Sequence, residues 1–242
     1  MELCIFQKGF NFSQDGPGNR LVYHLQGCNL RCPWCSNPEG IPLAGGKGYP
    51  IKVLVEEAVR SRSMFFEGGG VTLTGGEVTV QIDAVKEFFA GLKSENINTA
   101  IETNGLSPRL SELFGDLDYL IMDCKHYDPD VHREVTGAPN VQTFRNIQKA
   151  VENGVRLALR IPVIGGFNAS LRDAKGFVEL FEKLDIKKVA TIELLPYHEY
   201  GKDKYKKLGL EYSMTQQAKV SPEMIEKMTA YLRKYGFQII NT

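Results

Sequence analysis

Short apolar runs rich in valine, isoleucine and leucine alternate along the chain with longer segments that have the apolar spacing of helices. The short runs predict six strands, at 21–26, 71–74, 98–102, 119–122, 157–162 and 191–195. The longer segments predict six helices, at 53–62, 84–94, 108–114, 143–153, 171–184 and 222–235. Apolar strands that alternate with helices are typical of a parallel sheet covered by helices. The pattern therefore predicts an α/β fold, a partial (β/α)6 TIM-like barrel in a single domain.

Polar or glycine-rich motifs lie at the ends of five of the six predicted strands. These motifs are Gly27-Cys28, Gly75-Gly76-Glu77, Glu102-Thr103-Asn104-Gly105, Asp123-Cys124-Lys125 and Pro196-Tyr197-His198. In barrels and open parallel sheets, reactive groups sit at the carboxyl ends of the strands. We therefore expect the five motifs to converge on one mouth of the barrel.

Composition and charge exclude several classes of protein. The 242 residues include 29 basic and 29 acidic side chains, and this zero net charge argues against nucleic-acid binding through bulk charge. No apolar stretch approaches the roughly 20 residues that cross a bilayer. The first residues also lack the pattern of a secretory signal. We expect a cytoplasmic protein with reduced thiols and without a membrane or nucleic-acid partner.

Three of the five cysteines lie within eight residues and form a candidate metal site. They are Cys28, Cys32 and Cys35. Thiolates are the usual ligands of iron–sulfur clusters, and a [4Fe-4S] cluster normally takes four of them. Three ligands would leave one iron open to bind another molecule. A structural zinc site is the alternative, but its fourth ligand would have to come from Cys4, Cys124 or His24 by long-range folding.

The cysteine triplet, with Trp34 just before its last member, resembles the signature of the radical S-adenosylmethionine (SAM) superfamily. The order of motifs over most of the chain resembles the glycyl-radical-enzyme activating enzymes, and among them most closely those of pyruvate formate-lyase. The motifs are Asp15-Gly16-Pro17-Gly18-Asn19-Arg20, Cys35-Ser36-Asn37-Pro38-Glu39, the run 68–77, Glu102-Thr103-Asn104-Gly105, Asp123-Cys124-Lys125 and the run 193–202. The last of these is the most specific, because the cysteine motif alone is shared by many reactions.

The resemblance implies a chemistry that the cofactors carry. An open iron of a [4Fe-4S] cluster would bind the amino and carboxylate groups of SAM. Reductive cleavage of SAM would then give a 5′-deoxyadenosyl radical. This radical would abstract a hydrogen atom from a backbone glycine of a partner glycyl radical enzyme. The protein would orient the cofactors and exclude solvent.

The resemblance also implies which residues bind SAM. The amino group of SAM would contact Gly75, Gly76 and Glu77. Trp34 and Ser36 would lie along the adenine, and His198 would contact the adenosine. Asp123 and Lys125 would contact the ribose and the carboxylate. Arg160 ends a strand at the same mouth and is assigned to the cofactor or the substrate.

Two further sites follow from the same resemblance. Glu102, Thr103 and Asp123 would hold a monovalent cation, Na⁺ or K⁺, beside the SAM carboxylate, and hard oxygen ligands suit such a cation. Glu102 stands where close relatives commonly have aspartate. Asp15 lies where the family contacts the peptide backbone of its substrate.

The resemblance implies a minimal architecture. Some activating enzymes carry an inserted ferredoxin-like domain with extra cysteine clusters, whereas this chain lacks such cysteines. Residues 1–242 are therefore expected to form one radical SAM domain with its cluster loop at 27–40. The expected partners are pyruvate formate-lyase or a related glycyl radical enzyme and a flavodoxin- or ferredoxin-type electron donor. The protein itself is expected to be a monomer.

Two alternative functions remain open at this point. One is a radical SAM enzyme that acts on a small molecule, as carboxy-deazaguanine synthase does. The other is a zinc or iron–sulfur binding module without catalysis. The segment 196–201 favours the activating enzymes over the first alternative.

Overall fold

A computed structural model describes residues 1–241 and contains one nine-stranded sheet. The strands are β1 (Glu2–Phe12), β2 (Asn19–Leu25), β3 (Lys47–Pro50), β4 (Gly70–Gly75), β5 (Thr99–Thr103), β6 (Tyr119–Asp123), β7 (Leu157–Val163), β8 (Ala190–Pro196) and β9 (Gln238–Ile240). Their order in the sheet is β3-β1-β2-β4-β5-β6-β7-β8-β9. The strands run parallel from β2 to β9, whereas β1 pairs antiparallel with both β2 and β3.

Helices follow most of the parallel strands. They are α1 (Ile51–Arg60), α2 (Ile82–Ser94), α3 (Pro129–Thr136), α4 (Val141–Glu152), α5 (Leu171–Lys183), α6 (Lys202–Lys207) and α7 (Pro222–Lys234). Six short 3₁₀ helices are described at Pro38–Gly40, Arg62–Met64, Val78–Gln81, Leu110–Asp116, Ile186–Lys188 and Gln216–Ala218. No helix within residues 1–241 is both long and apolar enough to cross a membrane.

The predicted α/β partial barrel is confirmed. The six predicted strands correspond to β2 and β4–β8, and five predicted helices correspond to α1, α2, α4, α5 and α7. The predicted helix at 108–114 is the 3₁₀ helix Leu110–Asp116. The sequence analysis missed β1, β3, β9, α3 and α6. In β1 most positions after Ile5 are exposed or partly exposed, and α6 consists mainly of lysines, so neither carries a clear apolar period.

Side chains at the helix starts stabilise the connections between strands. Asp128 accepts a hydrogen bond from the backbone N–H of Asp130 at 2.8 Å and so caps α3. Ser221 accepts one from Met224 at 3.2 Å and caps α7, whose first residue is Pro222. Such caps satisfy backbone donors that have no partner inside the helix.

Alternate strand residues face either the helices or the lumen of the barrel. Leu21, Tyr23 and Leu25 of β2 pack outward into the main core, where Tyr23 meets Phe88 edge to face. Fully burying one such aromatic side chain stabilises the fold by about 1.5–3 kcal/mol. The opposite strand faces enclose the lumen.

The lumen changes from apolar to polar along its axis. A small cluster of Ala100, Tyr119, Ile121 and Ala158 fills its lower part. Ala100, Ile121 and Ala158 are each followed two residues later on the same strand by a charged residue. These charged residues are Glu102, Asp123 and Arg160, and they also face the lumen. Because side chains alternate along a strand, this step of two residues places a charged layer directly above the apolar one.

The loop at 13–18, between β1 and β2, packs against the lower part of the lumen. Arg20 is fully buried there and donates to Thr72 Oγ1 at 2.6 Å and to the Val71 carbonyl at 2.8 Å. A cavity of about 280 Å³ lies between this loop and the inner faces of β6–β8. The lumen is therefore partly open below the charged layer.

Candidate active site

The cysteine loop at 27–40 is closed at its base by backbone hydrogen bonds. Gly27 donates to the carbonyl of Gly40 at 2.8 Å, and Cys28 donates to that of Ile41 at 3.1 Å. These two bonds bring the ends of the loop together directly after β2. The three cysteines are thereby held above the carboxyl end of the sheet, as their position after a predicted strand suggested.

The three thiols lie close enough to influence one another electrostatically. Burial raises the pKa of Cys28 to about 11 and that of Cys32 to about 12, and it raises that of Cys35 as well. The ammonium of Lys125 acts in the opposite direction on all three. Metal binding would release the protons, because thiolates are the ligands.

The donor set fits a [4Fe-4S] cluster with three protein ligands. All three cysteines are free, and two of their sulfurs accept backbone N–H bonds: Cys28 from Leu30 and Cys35 from Asn37, both at 3.4 Å. Hydrogen bonds to the sulfurs are among the features that set the potential of such clusters. Within residues 1–241, no three His, Cys, Asp or Glu side chains are close enough together to hold a single metal ion. A cluster would not need such a group, since its ligands would each bind a different iron.

Gly76 is the point where the cysteine loop rests on β4. Its N–H donates to the Leu25 carbonyl at 2.9 Å, and the next N–H, of Glu77, donates to the Gly27 carbonyl at 2.7 Å. A β-carbon at position 76 would lie 2.2 Å from the Gly27 oxygen. Glycine is therefore required here by the close approach of two backbones.

Replacing Gly76 with alanine should push the base of the cysteine loop away from β4. We expect a loss of about 1–3 kcal/mol in the free energy of unfolding, the usual cost of overpacking. Iron content after anaerobic reconstitution should fall by at least about half, since the loop is no longer fixed at its base. Gly115→Ala is the matched control, because a β-carbon there meets nothing within 4 Å. Equal iron content and equal stability in the two variants would contradict this role of Gly76.

The Glu77 carboxylate is fully buried and accepts four hydrogen bonds. Oε1 accepts from the backbone N–H and hydroxyl of Thr79, at 2.9 and 2.6 Å, and from the hydroxyl of Thr103 at 2.7 Å. Oε2 accepts from the backbone N–H of Asn104 at 2.8 Å. The carboxylate therefore joins the ends of β4 and β5, and the Thr103 hydroxyl points to Glu77 rather than towards Glu102.

Asp123 and Lys125 form a buried ion pair at the end of β6. Lys125 Nζ lies 2.6 Å from Asp123 Oδ2. Burial alone would lower the pKa of Lys125, but the adjacent Asp123 carboxylate outweighs it and keeps the pKa above its usual value. Asn168, which is fully buried, donates to the Lys125 and Pro162 carbonyls at 2.7 and 2.8 Å. It thereby fixes the backbone that carries Lys125.

Arg160 links two carboxylates in the charged layer of the lumen. Its Nη1 lies 2.7 Å from Glu102 Oε1, and its Nε lies 2.8 Å from Glu193 Oε2. The second oxygen of Glu102 accepts from the Thr74 hydroxyl at 2.9 Å. Burial would raise the pKa of Glu102, but Arg160 and the Thr74 hydrogen bond outweigh it and lower this pKa.

Asp15 lies inside the barrel, below the Arg160 guanidinium. Its carboxylate accepts a hydrogen bond from Asn11 at 2.5 Å, and its carbonyl accepts one from the Thr72 hydroxyl at 2.7 Å. Arg160 Nη2 donates to the carbonyl of the neighbouring Gln14. Burial raises the pKa of Asp15, and the nearby Glu102 charge adds to this effect. Asp15 is thus tied to the lumen rather than exposed on an outer loop.

Trp34, within the cysteine loop, and His198, which follows β8, lie on the side of the last strands. Trp34 is 9% exposed and packs against Phe167 with ring centroids 5.0 Å apart. The His198 ring stacks on Tyr200 at 3.9 Å. Burial lowers the pKa of His198. Trp34 and His198, the two residues predicted to contact the adenosine, therefore both lie near the mouth. Each ring packs against another aromatic ring.

The segment 196–201 and helix α6 hold the second half of the cysteine loop. A β-carbon on Gly201 would lie 2.2 Å from the Cys35 carbonyl oxygen and 3.3 Å from Ser36 Cα. Lys204 forms an ion pair with Glu39 at 2.6 Å. The run 193–202 and α6 thus contact the second half of the cysteine loop, from Cys35 to Glu39.

The structure brings most predicted site residues to the barrel mouth or the lumen below it. Sequence reasoning missed the roles of Thr74, Glu193 and Asn168. A charged residue in the otherwise apolar run 192–195 was the available signal for Glu193. For Asn168 no such signal existed, because its contact with the Lys125 carbonyl joins residues that lie 43 positions apart.

A partial barrel with three cysteines in one loop above its strand ends points to one class of enzyme. Residues 22–180 match the family model described as the radical SAM superfamily, and the chain belongs to this superfamily. Membership implies a [4Fe-4S] cluster and SAM as cofactors.

The relatives narrow the class to activating enzymes of glycyl radical enzymes. The chain is 32% identical to the pyruvate formate-lyase 1-activating enzyme of Escherichia coli K12 over 231 residues, which cover 93% of each chain. It is also 32% identical to the choline trimethylamine-lyase activating enzyme of Oleidesulfovibrio alaskensis, again with 93% of each chain covered. A crystal structure of a radical SAM methyltransferase from Sphaerobacter thermophilus has the same fold, with a TM-score of 0.68 at 16% identity over 99% of this chain and 76% of that chain.

Proposed function

We propose that this protein activates a glycyl radical enzyme by abstracting a hydrogen atom from one of its backbone glycines. The observation that carries the proposal is the similarity to two activating enzymes over 93% of the chain. The proposed reaction transfers a hydrogen atom from the glycine Cα to the deoxyadenosyl group of SAM.

Cys28, Cys32 and Cys35 would hold the cluster in this proposal, within a single radical SAM domain whose cluster loop spans 27–40. When bound, the cluster supplies the electron that cleaves SAM. The protein's own groups bind and orient. Lys125, kept protonated by Asp123, suits the SAM carboxylate.

The remaining contacts to SAM are proposed from where the residues lie around the mouth of the barrel. Trp34, Ser36 and His198 would lie along the adenosine, with two of them on aromatic neighbours. Backbone groups of Gly75, Gly76 and Glu77 would face the amino group. The Glu77 carboxylate, already occupied by four donors, would fix this turn rather than bind the ammonium.

Arg160 and Asp15 would face the substrate. Both lie in the lumen below the mouth, where a glycine-bearing loop would enter. A monovalent cation, Na⁺ or K⁺, is proposed beside Asp123 and Glu102, with Thr103 contributing from its backbone. Its binding would have to share Glu102 with Arg160 and Thr74.

The physiological setting is part of the proposal. A flavodoxin- or ferredoxin-type protein would reduce the cluster, and the enzyme would act as a cytoplasmic monomer under anaerobic conditions. Pyruvate formate-lyase and choline trimethylamine-lyase, after whose activation two relatives are named, are the first substrates to test.

Mixing the reconstituted protein anaerobically with reductant, SAM and each glycyl radical enzyme of its source organism tests the function. We expect 5′-deoxyadenosine and, with one enzyme, the glycyl radical doublet in the electron paramagnetic resonance spectrum. A substrate enzyme with that glycine changed to alanine is the control and should give no doublet. SAM cleavage without a glycyl radical in any of these mixtures would contradict the proposal.

A further inference from the structure

His24 lies on the wall of the lumen just below the barrel mouth. Its neighbours on β2, Tyr23 and Leu25, pack outward into the main core, so His24 faces inward. It is in register with Thr74 of β4, whose hydroxyl donates to Glu102 at 2.9 Å. His24 also lies within electrostatic range of Glu102 in the lumen, and of Lys204 and Glu39 beside the cysteine loop. It therefore belongs to the charged layer of the lumen.

The imidazole of His24 has unused hydrogen-bonding capacity. Its Nδ1 is buried and has no hydrogen-bond partner among residues 1–241. The ring is only partly buried and its aromatic neighbour is Phe6, with centroids 5.7 Å apart. By contrast, Thr74, Glu102 and Arg160 in the same layer all form hydrogen bonds. An unpaired buried polar atom is costly, so this position suits a group that a bound molecule supplies.

The depth of His24 indicates which molecule that is. Leu25 is in register with Gly75, so His24 lies one residue deeper than the glycines proposed to face SAM. At this depth the lumen also contains Arg160 and, below it, Asp15. Burial lowers the pKa of His24, which leaves a neutral imidazole with one donor and one acceptor. A peptide backbone offers the complementary pair, a carbonyl and an N–H.

We propose that His24 hydrogen-bonds the main chain of the glycine-bearing loop when that loop occupies the lumen. This inference rests on the proposed function. It makes His24 a substrate-binding residue on the wall opposite Arg160. Its contribution is to place the glycine, so that the hydrogen atom is taken from one carbon and not from a neighbouring one.

The test compares His24→Phe with His24→Asn, using a short synthetic peptide copied from the glycine loop of the partner that the wild type activates. Phenylalanine keeps a flat ring but removes both nitrogens, whereas asparagine keeps a donor and an acceptor close to Nδ1. With phenylalanine we expect the KM for the peptide to rise about tenfold, as for the loss of one net hydrogen bond. The yield of product radical per SAM cleaved should fall as well. Asparagine should stay within about threefold of the wild type.

The readouts separate this role from a structural one. Iron content and SAM cleavage without peptide should be unchanged in both variants, because His24 is not assigned to either cofactor. Thr191→Val is the control: its hydroxyl is also buried without a partner among the described residues, but it lies two residues below Glu193 on β8. It should leave the KM unchanged.

Several results would overturn the inference. These are an unchanged KM and coupling in His24→Phe, a loss of iron or of SAM cleavage in both variants, or an equal effect in Thr191→Val. Failure of the proposed function gives a different result, since the wild type itself would then form no glycyl radical.

Discussion

Replacing Cys32 with alanine should abolish SAM cleavage, to less than about one thousandth of the wild-type rate. Cys32 is the middle of the three cysteines, and its thiol lies within electrostatic range of the other two. Two thiolates are too few for a [4Fe-4S] cluster, which normally takes four ligands and in our proposal would have three from the protein. Without a stable cluster no electron reaches SAM, so the effect is a loss of the reaction rather than a reduced affinity.

The measurement needs iron content, the absorbance of the reconstituted protein and the 5′-deoxyadenosine formed under anaerobic reduction. Cys4→Ser is the matched control. Cys4 is also a free cysteine near the cysteine loop, but its Sγ donates to the Gly45 carbonyl at 2.8 Å, a bond that serine can keep. This control should retain at least about half of the wild-type activity, as expected for an isosteric change outside the site. If Cys32→Ala keeps both iron and SAM cleavage, the cluster assignment is wrong.

The positions of the site residues along each strand were predictable, because they follow from a local rule. Side chains alternate along a strand, and the apolar Ala100 and Ile121 are followed two positions later by Glu102 and Asp123. A charged residue at the end of an apolar strand then has to face the mouth. The cysteine loop is predictable in the same way, because it directly follows an apolar strand and so has to lie above the carboxyl end of the sheet.

The pairing between these side chains was not predictable. Arg160 meets Glu193 only because β7 and β8 pair with these two residues in register. That register is set by packing and by the lengths of the connecting segments, not by the residues near either position. Glu77 is a similar case: the sequence places it beside the cofactor site, but its hydrogen bonds to Thr103 and Asn104 depend on how the ends of β4 and β5 approach each other.

β1 shows that the alternation of apolar and polar residues does not always reveal a strand at the open side of the barrel. It spans Glu2–Phe12, but only Leu3 and Ile5 contribute buried apolar side chains. Its bulge between Ile5 and Gln7 also interrupts the alternation. A strand that is held mainly by backbone pairing to β2 and β3 leaves little hydrophobic pattern to detect.

Replacing Arg160 with methionine should cause the largest loss of stability of any single change in the lumen. Arg160 is buried, and it neutralises Glu102 and Glu193, whose side chains are 22% and 3% exposed. Methionine keeps much of the volume but removes the guanidinium that lies between the two carboxylates. Breaking a buried ion pair in this way typically costs about 3–5 kcal/mol, because the remaining charge is uncompensated. For a protein of this size that corresponds to a decrease of roughly 6–20 °C in the melting temperature.

Two further variants separate the buried charge from a general effect of losing arginine. Arg109 also bridges two carboxylates, Asp83 at 2.6 Å and Glu112 at 2.8 Å, but on the surface. Arg109→Met should therefore cost much less than Arg160→Met, since exposed ion pairs are largely screened by water. The double variant Arg160→Met with Glu193→Gln should recover part of the loss, because an amide is less costly to bury without a cation than a carboxylate. Thermal unfolding of the four anaerobic proteins, followed by circular dichroism, measures these differences. If Arg160→Met and Arg109→Met melt within about 2 °C of each other, the buried pairs do not stabilise the lumen, and Arg160 would be held there for its contact with the substrate alone.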